Sequence, residues 1–288
     1  MDGIGLLKTC LLDLMHALRD SHTPLILGGG LGLYLKQQRI QALNQRTLLV
    51  DVPAARSTND MDIFIRAEIL ADRRHVKALA DAVYGLGYEP IETARYMQFK
   101  RVLPGLEGEV KLDFLVGPAG ACADRLKIDA RRVRPKGERI RLHARRTDEA
   151  LGLEDQPIKV PLDGQTSAGT AFSGVIFVPQ AFPYMLMKLC AFRDRKDDAR
   201  KDEGRHHALD LFRIVAMMTE EEYQSALAQR DTHCRAEAFL EVQRIVRNDF
   251  SSDTALGVLR LREHPLFAPF LDLTGFVSVL KEIFGPRA

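Results

Sequence analysis

Cysteine is scarce and unpaired in this sequence. Cys10, Cys122, Cys190 and Cys234 lie far apart with no CxxC among them, so they indicate neither a zinc site nor a disulfide framework, and free thiols are expected. An excess of one charge is also missing. With 41 Lys and Arg against 39 Asp and Glu, the net charge of +2 at pH 7 is too small to imply a polyanionic partner by itself. There is no low-complexity tract, no internal repeat and no long apolar run. The stretch from Ile4 to Leu18 is broken by Lys8, Asp13 and His16, and its apolar residues recur at helical spacing. It therefore predicts an amphipathic helix rather than a signal peptide, and a cytoplasmic protein without membrane contact is expected. What remains is a globular composition, 46% hydrophobic and 28% charged over 288 residues, enough for two domains or one large one.

The first half reads as α/β. Thr23 to Leu27 predicts a short buried strand, Gly28-Gly29-Gly30 a tight turn and Leu31 to Gln38 the start of a helix. Leu43 to Arg56 reads as strand or loop, Ala67 to Leu86 as one helix ending at Gly85 or Gly87, and Tyr96 to Val102 and Glu109 to Val116 as strands joined through Pro104-Gly105. Further short strands are predicted at Arg139 to Arg145, Ile158 to Leu162 and Val175 to Val178, the last two separated by a Gly, Ser and Thr-rich stretch from Asp163 to Ser173. From Pro179 onward nearly everything reads as helix: Phe182 to Arg195, Arg205 to Met218, Glu220 to Arg230, Arg235 to Phe250 and Leu273 to Phe284. The expectation is an α+β protein with a domain over 1–178 and a helical domain over 179–288.

Within the first half, Asp60 and Asp62 sit at i, i+2 of a strand-like segment, so they share one face while Met61, Ile63 and Ile65 share the other. Adjacent carboxylates repel, and a hard cation such as Mg²⁺ relieves the repulsion; the bland alternative is a strand emerging into a polar turn. In Glu109 to Val116, the apolar residues Val110, Leu112, Phe114 and Val116 leave Asp113 on the opposite face. If the two strands are neighbours, three carboxylates converge, a set that can hold two Mg²⁺ ions and orient a nucleoside triphosphate. Asp113 alone is equally an ordinary acid at a sheet edge. The glycine turn suits phosphate binding at a helix start, yet it carries no Gly-Lys-Ser/Thr and lacks the third glycine of a dinucleotide turn, so a purely structural role stays open.

Together these pieces resemble the DNA polymerase β-like nucleotidyltransferase superfamily: a strand ending in Gly-Gly, a helix, the strand Arg56-Ser57-Thr58-Asn59-Asp60-Met61-Asp62, and a later apolar strand with one Asp. The segment Met187 to Asp197, with Lys188 and Arg195-Lys196-Asp197, and its continuation Gly204 to Leu211, with Asp210-Leu211, are similar to the AbiEii/AbiGii-type nucleotidyltransferase-like toxin family. The resemblance covers roughly residues 23 to 215. It implies a mixed sheet flanked by helices, Mg²⁺ at Asp60, Asp62 and Asp113, and an NTP contacted by Gly29, Gly30, Ser57, Lys188, Arg195 and Asp210. It also implies transfer of an NMP to a hydroxyl of tRNA or other RNA, of protein or of a small molecule, and an antitoxin as partner. Two departures are plain: the gap of about thirty residues between the glycine turn and Asp60 is long for the superfamily, and Asp197-Asp198 and His206-His207 leave the register of the helical motif ambiguous.

On a continuous helix Lys188 and Arg195 would share a face, and Asp202, His206 and Asp210 would form one polar stripe, unless Asp202 merely caps the helix. Between Arg131 and Arg146 there are eight Lys or Arg against one acid, Glu138, a cluster suited either to a phosphate backbone or to a solvated edge strand. Two other functional classes are compatible with the sequence. One is a catalytically silent nucleotide-binding scaffold. The other is a phosphohydrolase with His206, His207 and Asp210 as metal ligands, which needs further ligands such as His75 or Asp231.

Overall fold

Strands in the first half form because β-branched and aromatic residues alternate with polar ones, and pairing buries the apolar side of each strand. In the computed structural model, which describes residues 3–21, 23–56, 58–103, 108–137 and 139–285, chain contacts define two units. One comprises Met1–Gly32, Ser57–Asp148 and Gln156–Pro179; the other comprises Leu33–Arg56, Glu149–Asp155 and Gln180–Ala288.

The first unit begins with α1 (Gly3–Ala17), β1 (Ile26–Leu27) and the opening turn of α2 (Gly29–Ala42), whose residues from Leu33 count in the second unit. It continues with β2 (Asp60–Phe64), α3 (Ala67–Ala71), α4 (Arg73–Gly85), β3 (Glu89–Pro90), β4 (Gln98–Val102) and β5 (Glu109–Val116). Then follow β6 (Leu126–Asp129), β7 (Arg132–Pro135), β8 (Ala144–Arg146), β9 (Ile158–Gln165) and β10 (Ala171–Val178). Among the described residues these ten strands make one mixed sheet in the order β6-β7-β8-β5-β2-β1-β10-β9, with β4 also on β5 and β3 on β4. β2–β5, β5–β8 and β1–β10 are parallel, and the other pairs are antiparallel. α1 packs Leu7, Cys10, Leu11 and Leu14 out of solvent. Its one buried acid, Asp13, accepts from Arg101 Nη1 at 2.6 Å and from the Ser167 amide at 2.8 Å.

Several local expectations need correcting. The helix expected over Ala67 to Leu86 is two, because Asp72 takes extended backbone and its carboxylate accepts the Arg74 and His75 amides, starting α4 afresh. α2 starts at Gly29, two residues before Leu31. Residues 43–56 carry no strand, and 139–143 are irregular, with only Ala144–Arg146 pairing. The stretch from Asp163 to Ser173 is mostly ladder: β9 and β10 pair in register from Ala171↔Gln165 to Val178↔Ile158. Pro104-Gly105 lies outside the described residues.

The second unit contains α5 (Ala181–Arg193), α6 (Arg205–Ala216), α7 (Glu220–His233), α8 (Glu237–Asp249), α9 (Leu256–Arg262) and α10 (Leu273–Phe284), with a 3-10 turn at Ala199–Gly204. α5 buries Phe182, Tyr184, Met185, Leu186, Leu189 and Phe192, and α6, α7 and α8 pack around it. The segment Leu33–Arg56 joins this unit through amides of Leu48 and Leu49 donating to Met218 and Ala216 carbonyls. Thr219 and Glu222 close a capping box at the start of α7. Among the described residues no helix is long and apolar enough to cross a membrane.

Candidate functional site

The parallel pairing of β2 with β5 places Asp60 opposite Lys111 and Asp62 opposite Asp113. On one face Met61, Ile63, Leu112 and Phe114 are wholly buried. Because side chains alternate along each strand and paired residues share a face, Asp60, Asp62 and Asp113 all belong to the opposite one. The convergence expected from sequence therefore holds at the level of register.

The glycine turn is built against the middle carboxylate. Gly28 N donates to Asp62 O at 2.7 Å. Gly29 has φ +61°, and a Cβ there would run into the Asp62 carboxylate, while a Cβ on Gly28 would stand 2.7 Å from the Phe64 ring. Backbone geometry alone accounts for glycine at position 29, and it also sets the first turn of α2 beside Asp62. Gly30 is buried in that turn, and Ser57 lies outside the described residues.

Each carboxylate has its own surroundings. Asp60 Oδ1 accepts from Thr58 Oγ1 at 2.5 Å. Asp113 Oδ2 accepts from Gln98 Nε2 at 2.8 Å, whereas Asp113 Oδ1 is buried without a hydrogen-bond partner. Burial pushes the Asp113 carboxyl above the usual aspartate range, and the Asp60 charge adds to the rise, against the pull of Gln98 and Arg145. The ligand atoms of the three are not all within 4.8 Å of one another; among the described residues the group meeting that spacing is Asp202, His206 and His264. Binding one ion through all three carboxylates thus requires them to turn inward. The orphaned Asp113 oxygen and the concentration of negative charge nevertheless fit a hard, oxygen-seeking cation, so the donor set is compatible with Mg²⁺.

The carboxylate face continues into cations. Leu115, two residues beyond Asp113, pairs with Arg145 of β8; Arg145 pairs with Arg132 of β7; and Arg134 pairs with Lys127 of β6. Register thus carries Arg145, Arg132, Arg134 and Lys127 on the face of Asp113. Asp129 is shared by Arg132 at 2.7 Å and Arg134 at 3.8 Å, so one acid answers two guanidinium groups. Gln98 and Arg145 escaped the sequence reading as neighbours of Asp113. Only strand register brings them there, and three- and four-residue strands rich in Arg show no clear period.

In the second unit, Lys188 and Asp210 meet. Lys188 Nζ donates to Asp210 Oδ2 at 2.7 Å, and Arg56 Nη2 reaches the same oxygen at 3.2 Å. Asp210 is 0% exposed; burial opposes its ionisation, but Lys188 and Arg56 outweigh that and hold its carboxyl well below the usual range. Arg213, also 0% exposed, stands 3.8 Å away with Nε and Nη1 lacking hydrogen-bond partners. The expected common helical face of Lys188 and Arg195 is not formed, because α5 ends at Arg193 and Asp194 is its cap. Arg195 turns instead to His207. Burial, then Lys188 and Arg195, push the His207 imidazole well below its ordinary value.

Nor is there a stripe of Asp202, His206 and Asp210. α6 starts at Arg205, and Asp202 caps it from the preceding turn, accepting the His206 amide at 3.1 Å. His206 and His207 go to different partners, His264 for the first and Arg195 for the second. His75 bonds Thr23, and Asp231 pairs with Arg230, so the ligand set of the phosphohydrolase reading is not assembled as expected. His264 carries no sequence signal for its meeting with His206, 58 residues earlier. Comparison with protein-family models and with curated proteins gives no match.

Proposed function

We propose that the first unit is a Mg²⁺-dependent nucleotidyltransferase domain, moving an NMP from an NTP to a hydroxyl acceptor. The observation that carries this reading is the register Asp62↔Asp113, which gives one sheet face three carboxylates beside the Gly28-Gly29 turn. The sequence resemblance to AbiEii/AbiGii-type toxins supports it, and with it an antitoxin as partner. Asp60, Asp62 and Asp113 would hold Mg²⁺, which when bound neutralises phosphate charge and steadies the leaving pyrophosphate.

The chain's own groups have separable tasks. The first-turn amides of α2 supply donors to phosphate oxygens. Asp113 either completes the metal site or acts as base, in which case its Oδ1, without a hydrogen-bond partner, takes the proton of the attacking hydroxyl. As that oxygen bonds to the α-phosphorus, the bond from the α-phosphorus to the bridging oxygen breaks and pyrophosphate departs with the electron pair. The Arg145, Arg132, Arg134 and Lys127 row favours a phosphate-bearing acceptor such as RNA.

The test is incubation with each α-labelled NTP, Mg²⁺ and total RNA or cell extract. Label is expected on an acceptor with wild type and is expected to fall at least a hundredfold with Asp60→Asn or Asp113→Asn, on the order of the loss when a metal or general-base group is removed. Absence of label from every RNA, protein and small-molecule fraction would overturn the proposal.

A further inference from the structure

Three ligand-type side chains outside the carboxylate site converge in the second unit. Asp202 comes from the 3-10 turn, His206 from the first turn of α6 and His264 from just past α9. His206 Nδ1 lies 2.9 Å from His264 Nε2 and 3.1 Å from Asp202 Oδ2, and the three ligand atoms are mutually within 4.8 Å. A tetrahedral zinc ion with bonds of ~2.0–2.2 Å keeps its ligand atoms roughly 3.3–3.6 Å apart. Occupancy would therefore spread the two close pairs by only a few tenths of an ångström.

The surroundings already orient these groups. Arg205 Nε donates to Asp202 Oδ1 at 3.0 Å, which leaves Oδ2 toward the histidines. Residues 202, 203 and 204 have φ of +58°, +48° and +77°, a backbone that only Gly204 adopts freely. Glu203 is tied to Arg260 of α9 at 2.9 Å. The proton count is unbalanced without a cation. His264 Nδ1 accepts the Leu266 amide at 3.0 Å, so the ring proton sits on Nε2 and points at His206 Nδ1. Asp202 Oδ2 and His206 Nδ1 then face each other at 3.1 Å as two acceptors, a repulsion that a cation removes.

We propose that Asp202 Oδ2, His206 Nδ1 and His264 Nε2 form a site for a borderline transition-metal ion, Zn²⁺ by ligand set and spacing, that clamps the left-handed turn and the end of α9 to α6. The fourth position is open to water, since the His206 side chain is 49% exposed. Coordination returns the His264 proton to Nδ1, so the Leu266 amide contact and the His264–His206 hydrogen bond are both exchanged, for three coordinate bonds. Nitrogen ligands favour zinc-like ions over Mg²⁺, which makes this site independent of the carboxylates.

The experiment titrates chelator-stripped full-length protein with Co²⁺ and then Zn²⁺, in wild type and in an Asp60→Asn/Asp62→Asn background that removes carboxylate binding. Expected are the intense visible bands of four-coordinate Co²⁺ at one equivalent in both proteins, their displacement by Zn²⁺, and faster hydrogen exchange of the Leu266 amide on binding. His206→Gln, at a half-exposed ring, and Asp202→Asn are each expected to weaken binding about 10–100-fold, with circular dichroism checking that each variant is folded. Absence of the four-coordinate spectrum, His206→Gln titrating like wild type, or unchanged Leu266 exchange would each overturn the proposal.

Discussion

Asp113 is half-buried and Asp210 wholly buried, and their proton affinities move in opposite directions: desolvation raises that of Asp113, whereas Lys188 and Arg56 outweigh desolvation and lower that of Asp210. For Asp113 the folded state holds its proton to higher pH than the unfolded chain, whose ordinary value is 3.8. The unfolded chain ionises first as pH rises, so Asp113 lowers stability from that value upward and has no effect below it. Asp113→Asn is therefore expected to unfold at a higher temperature than wild type at neutral pH, with the gap closing below pH 3.8; thermal scans across pH test this, and a gap that widens on acidification would contradict it. Asp210 has the opposite sign: its depressed value adds stability that is present above the ordinary aspartate value and is lost as pH falls through the folded one. Asp210→Ala leaves Lys188, Arg56 and Arg213 without their common anion, and a loss of about 3–5 kcal/mol is expected in urea unfolding.

At the scale of elements, legibility follows length and periodicity. β5, eight residues whose burial alternates strictly, runs over Glu109–Val116 as read from the sequence, and Asp113 lies on its less buried face. β6, β7 and β8 have four, four and three residues, too few for a period to emerge from their arginines, and α9 has seven. Asp72 was hidden inside a good helical pattern, because only its backbone geometry reveals a cap between α3 and α4. The Asp60, Asp62 and Asp113 grouping was readable since two alternating strands suffice to state which faces match. The partners Gln98, Arg145 and His264 were not, since each depends on register or tertiary approach. The β1–α2 turn offers a direct test. Gly29→Ala forces a left-handed φ on alanine and drives its Cβ at Asp62, so a loss of about 1–3 kcal/mol is expected in denaturant unfolding, and a neutral result would mean that the turn rearranges.

For the whole molecule, the α/β first half and the helical C-terminal portion were evident from pattern, and the mixed sheet was what the family resemblance implied. The assignment of residues 33–56 and 149–155 to the helical unit was not, because 33–42 continue a helix that starts in the first unit, and 43–56, which have no regular pattern, join the second through contacts such as Leu48 to Met218. The two-residue strand β1 has a further consequence, for the order of folding. It stands between β2 and β10, and its parallel partner Phe177 lies roughly 150 residues beyond Ile26, so closing that pair carries a large loop entropy. During synthesis, β1, β2 and β5 can pair long before β10 leaves the ribosome, and β1 then has one edge uncovered until β10 is made. The strand that leads into the Gly28-Gly29 turn is thus held early on its β2 side and flanked on the other only late, by a strand made more than a hundred residues after it.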